Sequence, residues 1–160
     1  MFGFGKKKKT ISVIAPMTGK AVPLDQVPDP AFSQKIIGDG IAIEPNEGLL
    51  IAPFDGHVVH LIDTLHSLVL GHESGLEILV HIGVNTVSLQ GKPFKTYVKT
   101  GDKVKKGDKL IEFDMDMIKA EGLPVITPII VANGDVVSNL KVHEGAVTAG
   151  TGVLMEVTVK

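Results

Sequence analysis

The sequence predicts an all-β protein, an antiparallel sandwich or barrel that carries a few short helical turns. From Thr10 onward the apolar residues form short runs, and Pro, Gly, Asn or Asp separates these runs at close intervals. The apolar spacing of long helices is missing, and 18 glycines with 9 prolines indicate many turns. Because 44% of the 160 residues are hydrophobic, residues 10–160 are expected to form a single domain.

The predicted elements follow the alternation of apolar runs and turn residues along this domain. Short helical turns are predicted at 30–35, where Asp29 can cap and Pro30 suits the first position, and at 116–121. The apolar runs between turns predict strands at residues 11–15, 20–24, 40–44, 49–52, 57–62, 67–71, 76–82, 95–98, 109–114, 126–131, 136–140 and 153–159.

An internal echo accompanies these strands. Residues 15–22, APMTGKAV, match residues 52–59, APFDGHVV, at Ala, Pro, Gly and the final Val. Each octet is typical of a strand end, a turn and the start of a new strand. Residues 100–112 place two Gly-Asp turns before an apolar strand, a pattern that resembles a turn of biotinyl and lipoyl carrier domains.

The composition excludes several classes of function. The chain has no cysteine, which rules out a disulfide framework, a thiol nucleophile and thiolate metal sites. All 16 basic residues are lysine, so the arginine forks that read guanine edges are absent. With a net charge of −2, the protein is not expected to bind nucleic acid.

Residues 1–9 are predicted to be a flexible lysine-rich tail. Lys6 to Lys9 follow two phenylalanines, so this segment is expected to make at most weak contact with anionic lipid. No apolar stretch approaches the roughly 18 residues of a membrane-spanning helix. The protein is therefore expected to be cytoplasmic.

Two of the six histidines can be placed relative to each other by hairpin geometry. If Glu73 and Ser74 form a two-residue turn, His66 lies directly opposite His81. A longer turn that includes Gly75 would shift the pairing by one residue and turn His66 away. The first register puts the rings on one partly exposed face with Leu68, Leu70, Glu77 and Leu79, and it gives the core Val69, Ile78 and Val80.

Two neighbouring imidazoles offer a specific chemistry. Near neutral pH one neutral ring nitrogen can act as a nucleophile while the other ring donates a hydrogen bond to a developing anion. Phosphoryl transfer requires this positioning and charge stabilisation, and Thr64 supplies the nearest hydroxyl in sequence. Judged by spacing alone, His66 and His81 are more simply interpreted as half-buried strand residues bonded to the backbone.

Three longer motifs connect the pair to a known family. Residues 27–35 (VPDPAFSQK), 38–43 (GDGIAI) and 79–87 (LVHIGVNTV) resemble the glucose-class enzyme IIA of the bacterial phosphoenolpyruvate-dependent sugar phosphotransferase system. The strand IEFD at 111–114 and the Thr127-Pro128 pair belong to the same likeness, which extends from about residue 10 to residue 160.

This resemblance implies an antiparallel β-sandwich of the duplicated hybrid-motif type and a phosphotransferase activity. It implies that His81 accepts a phosphoryl group from the histidine-containing phosphocarrier protein and passes it to the IIB domain of a sugar permease. His66 would hydrogen-bond the phosphoryl oxygens, Thr64 would orient His66, and no cofactor would be required. The protein is expected to be a monomer whose phosphorylation state other regulatory targets can read.

The resemblance also implies a docking surface and allows a metal. Some relatives hold zinc with the histidine pair, here His66 and His81, plus a carboxylate of a partner. Asn85 stands where the family usually has Asp, so the expectation about partner preference, rather than that about the chemistry at His81, is open. The implied docking residues are Phe32, Ile36, Ile37, Ile62, Leu79 and Val87.

Two other classes of protein compete with this interpretation. A biotinyl or lipoyl carrier would be modified on Lys119, although such domains carry the lysine at the tip of a tight hairpin and are about half this length. A zinc hydrolase would use some of His57, His60, His66 and His81. The i, i+3 spacing of His57 and His60 predicts opposite faces of one strand, which disfavours a shared metal.

Overall fold

Strands make up most of the protein. The computed structural model describes residues 9–160, which form fourteen strands, two short α-helices and three 3-10 helices. The strands are β1 (Lys9–Ile14), β2 (Gly19–Val22), β3 (Gly40–Pro45), β4 (Leu49–Ile51), β5 (Gly56–Leu61), β6 (Ser67–Gly71), β7 (Glu77–His81), β8 (Phe94–Thr96), β9 (Lys103–Val104), β10 (Lys109–Phe113), β11 (Thr127–Val131), β12 (Val137–Val142), β13 (Gly145–Val147) and β14 (Val153–Val159).

The strands form three antiparallel sheets, which confirms the predicted all-β class. The largest sheet has eight strands in the order β13-β2-β3-β11-β7-β6-β5-β9, and the two others are β1-β14-β12 and β4-β10-β8. Within residues 9–160 the large sheet ends at the edge strands β13 and β9 and does not close on itself. Of the two predicted architectures, this leaves the sandwich rather than the barrel. These two edge strands were not predicted, because two or three residues carry too little apolar alternation to be seen.

The helices are short and capped. Helix α1 (Pro30–Ser33) begins where the Asp29 carboxylate accepts a hydrogen bond from the Ala31 N–H at 3.0 Å. Helix α2 (Met115–Ala120) begins one residue earlier than predicted, because Asp114 accepts from the Met117 N–H at 3.0 Å. The 3-10 helices cover Leu24–Gln26, Thr86–Leu89 and Gly134–Val136.

The repeated octets occupy equivalent places in two halves of the sandwich. The Ile14 N–H donates to the Pro53 carbonyl at 3.3 Å, and the Ile51 N–H donates to the Pro16 carbonyl at 2.9 Å. Each octet therefore receives a bond from the strand that leads into the other. The glycine of each octet begins a strand, and a Cβ on either Gly19 or Gly56 would overlap a carbonyl oxygen of the neighbouring strand.

The hairpin of β6 and β7 differs from the predicted register by one residue. Ser67, not His66, lies opposite His81. The loop contains three residues, and it ends at Gly75 with a φ of +97°, a conformation that glycine adopts without strain. Consequently the faces of β6 are exchanged: Leu68 and Leu70 are in the core and Val69 is partly exposed. The faces of β7 are as predicted, with Ile78 and Val80 in the core and Leu79 partly exposed.

The prediction of a flexible tail at residues 1–9 is wrong for Lys9. Lys9 is the first residue of β1 and pairs with Val159, so it is not part of a flexible tail. The rest of the predicted tail, with its expected lipid contact, lies outside the described residues. No helix in the described part of the chain is long and apolar enough to cross a membrane.

Candidate functional site

His81 stands at the end of β7, where the strand gives way to an irregular turn. Its ring is half-buried, and Nδ1 lies 2.7 Å from the Gly83 carbonyl oxygen. A carbonyl only accepts hydrogen bonds, so Nδ1 carries the proton and Nε2 keeps a free lone pair. The ring is thereby held in the tautomer that can act as a nucleophile through Nε2.

His66 reaches the same place from just before β6. Leu65 adopts a φ of +62°, and this left-handed residue closes a tight turn in which its N–H donates to the Ile62 carbonyl. The turn redirects the chain, so the His66 ring lies beside His81 although the two residues are not paired in the hairpin. His66 is only 3% exposed, and its Nδ1 lies 2.8 Å from the Thr64 hydroxyl.

The two imidazole rings meet edge to face. Their centroids are 4.9 Å apart and their planes are inclined by 78°. Phe32 of α1 also packs against His81, with a centroid distance of 5.1 Å. An aromatic side chain and a second imidazole thus confine the His81 ring and limit its rotation.

Burial keeps both histidines neutral. Desolvation, with a smaller contribution from nearby His81, lowers the pKa of His66 from 6.5 to about 4. Desolvation also lowers the pKa of His81, against opposing effects of the Gly83 carbonyl and the Asp29 carboxylate. Two neutral imidazoles can coexist at this distance without charge repulsion.

Asp29 has a second role that the sequence reasoning missed. It was predicted only as the cap of α1, yet its charge acts on His81 and its helix carries Phe32 against the His81 ring. A capping residue three positions from the predicted docking residue Phe32 gives no sequence signal of its proximity to His81. Only the fold brings this carboxylate close enough to influence the pKa of the histidine.

Asn85 lies in the turn that follows His81. It has a φ of +61° and is exposed, and it precedes the 3-10 helix Thr86–Leu89. Asn tolerates the left-handed region better than most residues, which accounts for its fit at this position. The residue therefore presents a neutral amide, rather than a carboxylate, at the rim of the site.

The predicted docking residues differ widely in exposure. Ile36, Ile37 and Val87 are 70%, 43% and 51% exposed, respectively, whereas Ile62 and Leu79 are partly buried. Phe32 is only 3% exposed. It therefore supports the His81 ring from within rather than offering surface to a partner.

The competing sites lack the arrangement that they need. A bulge between Val58 and His60 puts His57 and His60 on one exposed face, not on opposite faces as predicted. Even so, no group of three His, Asp or Glu residues within 9–160 is placed to hold a metal ion. Lys119 is in the last turn of α2 and not at a hairpin tip, contrary to the requirement of a swinging-arm carrier.

Comparisons with known proteins identify the family of this chain. The family model of the phosphoenolpyruvate-dependent sugar phosphotransferase system, EIIA 1, matches residues 11–137. The PTS system glucose-specific EIIA component of Bacillus cereus is 40% identical over 161 aligned residues, covering 100% of this chain and 98% of that protein. The protein of the same name from Oceanobacillus iheyensis is 45% identical, covering 95% and 93%.

A solved structure shows the same fold. The glucose permease IIA from Mycoplasma capricolum superposes with a TM-score of 0.84 at 35% identity, covering 92% of this chain and 96% of that one. Fold and matches together define a phosphotransferase component of a sugar transport system. The chain belongs to the EIIA 1 family of the phosphoenolpyruvate-dependent sugar phosphotransferase system, and the predicted resemblance is confirmed.

Proposed function

We propose that in the cytoplasm this protein accepts a phosphoryl group on Nε2 of His81 from the histidine-containing phosphocarrier protein. It then passes the group to the IIB domain of a glucose-class sugar permease. The observation that carries the proposal is the pair of neutral imidazoles, 4.9 Å apart, with Nδ1 of each ring already hydrogen-bonded. The glucose-specific EIIA relatives support the glucose class.

The chemistry at His81 requires no cofactor. The Nε2 lone pair attacks the phosphorus of the donor phosphohistidine, a P–N bond forms at His81, and the P–N bond to the donor breaks. The donor nitrogen leaves with the electron pair, while the Nδ1 proton of His81 stays on its hydrogen bond to Gly83. Positioning and electrostatic stabilisation are sufficient for such a transfer.

His66 is proposed to stabilise the transferred group. With the Thr64 hydroxyl donating to Nδ1 of His66, the proton of this ring resides on Nε2, which can donate to a phosphoryl oxygen. The Thr64 contact therefore sets both the tautomer and the orientation of His66. This arrangement supports onward transfer to the IIB domain.

The partners are proposed to dock on the exposed side chains of Ile36, Ile37 and Val87 beside the partly buried Ile62 and Leu79. An apolar ring of this kind suits a transient interface, and it excludes water from the reacting atoms. The surface must be free for two successive partners, so the protein is proposed to act as a monomer.

Zinc binding is a separate proposal for the same pair. The Nε2 atom of His81 is a suitable zinc ligand as it stands, because Nδ1 carries the proton. His66 would bind through Nε2 after its proton moves to Nδ1, where the Thr64 hydroxyl oxygen can accept it. Two nitrogen ligands fill half of a tetrahedral site, and a carboxylate of a partner would have to contribute to the rest. The ion would hold the partner against the docking surface.

Regulation is a second candidate role for this site. A phosphoryl group on His81 brings about two negative charges into the apolar ring. Target proteins that bind this ring would then prefer one state, as a phosphorylation-dependent switch requires. Affinity capture with phosphorylated and unphosphorylated protein should recover different partners, and identical partners would rule out this role.

The transfer reaction is tested by intact mass with peptide mapping under neutral or basic conditions, in which phosphohistidine survives. Protein incubated with phosphoenolpyruvate, enzyme I and the phosphocarrier should gain one phosphoryl group on His81. The His81→Ala variant should gain none, and His66→Ala should accept the group but fail to pass it on. His72→Ala, which alters a histidine at the other end of the hairpin, is the matched control. Absence of uptake by the wild type would refute the proposal.

A further inference from the structure

The orientation of His81 depends on a turn that no strand ladder holds. Its Nδ1 proton is accepted by the carbonyl of Gly83, two residues further along the chain and beyond the end of β7. Gly83 and Asn85 both adopt left-handed conformations, with φ values of +75° and +61°. Contacts other than ladder hydrogen bonds must therefore fix the position of the accepting carbonyl.

Thr86 supplies one such contact from a fully buried position. Its exposed fraction is 0%, and its hydroxyl donates to the Ile82 carbonyl at 2.5 Å. That carbonyl belongs to the peptide unit that precedes Gly83. The methyl group of Thr86 lies close to Gly83, since a Cβ placed on this glycine would be 2.7 Å from it. The hydroxyl and the methyl group of Thr86 therefore both contact the turn.

Ile82 also connects this contact to the second histidine. While its carbonyl accepts from Thr86, its N–H donates to the His66 carbonyl at 2.7 Å. One residue therefore joins Thr86 to the backbone of His66 and, through Gly83, to the ring of His81. A displacement of the Ile82–Gly83 peptide would change the position of both imidazoles relative to each other.

We propose that Thr86 is a positioning residue for phosphoryl transfer, an inference that rests on the function proposed above. Its hydroxyl fixes the Ile82–Gly83 peptide so that the Gly83 carbonyl holds His81 with Nδ1 protonated and Nε2 free. Thr86 acts through this peptide and does not touch the phosphoryl group. Loss of the hydroxyl should therefore impair alignment without weakening the docking of partners.

The test compares Thr86→Val, which keeps the shape and removes the hydroxyl, with Thr86→Ser, which keeps the hydroxyl. Thr127→Val is the matched control, because Thr127 is equally buried and its hydroxyl also donates to a backbone carbonyl, that of Val125, at 3.0 Å. Histidine ¹⁵N spectra of unphosphorylated protein report the His81 tautomer, and rapid-quench kinetics report phosphoryl uptake.

Thr86→Val should give a mixture of His81 tautomers and lower the uptake rate at saturating donor about tenfold, with KM for the donor unchanged. Thr86→Ser should restore both properties, and Thr127→Val should leave both as in the wild type. A single tautomer and a normal rate in Thr86→Val would overturn the inference, as would equal losses in Thr127→Val. The spectra need no phosphoryl donor, so this result is independent of whether the wild type accepts the group.

Discussion

At the scale of single residues, the neutral state of His66 is a consequence of its burial. The side chain is 3% exposed and has one hydrogen-bond partner at 2.8 Å, the Thr64 hydroxyl. Removing a charged imidazolium from water is unfavourable, so the folded protein resists protonation of this ring. Stability and the readiness of the site for transfer consequently depend on the same desolvation.

Stability should decrease in mild acid. The unfolded chain protonates His66 near pH 6.5, whereas the folded protein does so only near pH 4, so protons favour the unfolded state between these values. The contribution of His66 to the free energy of unfolding is fully present above pH 6.5. Acidification through pH 4 should remove this contribution, which is on the order of 3 kcal/mol. Urea unfolding at several pH values measures this loss. His66→Gln should show a shallower dependence, and an equal slope would contradict the prediction.

Thr64→Val should affect onward transfer more than uptake. Without the hydroxyl, the His66 ring loses its fixed tautomer, and stabilisation of the transferring phosphoryl group weakens. Transfer from phosphorylated protein to a IIB domain should slow by on the order of 10²-fold. Single-turnover kinetics measure this step, and Thr64→Ser should behave nearly as the wild type. A normal rate in Thr64→Val would show that the hydroxyl has no part in transfer.

At the scale of elements, two turns determine whether the histidines meet. The sequence correctly predicted the β6 and β7 strands, but the length of the turn between them was open, and a two-residue turn assigned the faces of β6 the wrong way round. His66 still reaches His81 because Leu65 has a positive φ. Leucine rarely adopts this conformation, so the sequence of this segment does not predict it. Local apolar runs predict where strands form, whereas the register of the β6–β7 hairpin depends on whether the turn has two or three residues.

The turn after β7 should tolerate far less change than the turn before it. A Cβ on Gly83 would lie 2.7 Å from the Pro124 carbonyl oxygen, and the residue also has a φ of +75°. Gly83→Ala should lower the free energy of unfolding by at least about 2 kcal/mol. Gly75→Ala is the control, because its φ of +97° is similarly positive but the space around it is open. Equal losses in chemical denaturation would show that close packing at Gly83 contributes nothing.

At the scale of the whole molecule, the charge balance makes the phosphorylated state easy to distinguish. The chain has a net charge of −2 at pH 7, and a phosphoryl group adds about two negative charges. Phosphorylation should lower the isoelectric point and increase mobility towards the anode on a neutral native gel. The His81→Ala variant should not shift under the same conditions, and a shift would place the group elsewhere.

The sequence predicts the two equivalent turns of the repeated octets, but it does not predict the hydrogen bonds that connect them. The two octets share four identical residues, and this similarity suffices to suggest equivalent turns. The bonds from Ile14 to Pro53 and from Ile51 to Pro16 join positions that are distant in sequence. Contacts of this kind follow from sheet packing, so local patterns cannot specify them.

The pairing of β1 with β14 brings the two ends of the described chain together. Lys9 lies opposite Val159, in a sheet that contains neither His66 nor His81. A linker of a few residues could therefore close residues 9–160 into a ring, and new termini could be opened in an exposed turn. Because the β1–β14 pair contains neither histidine, a domain attached near Lys9 or Val159 would leave the docking surface unchanged.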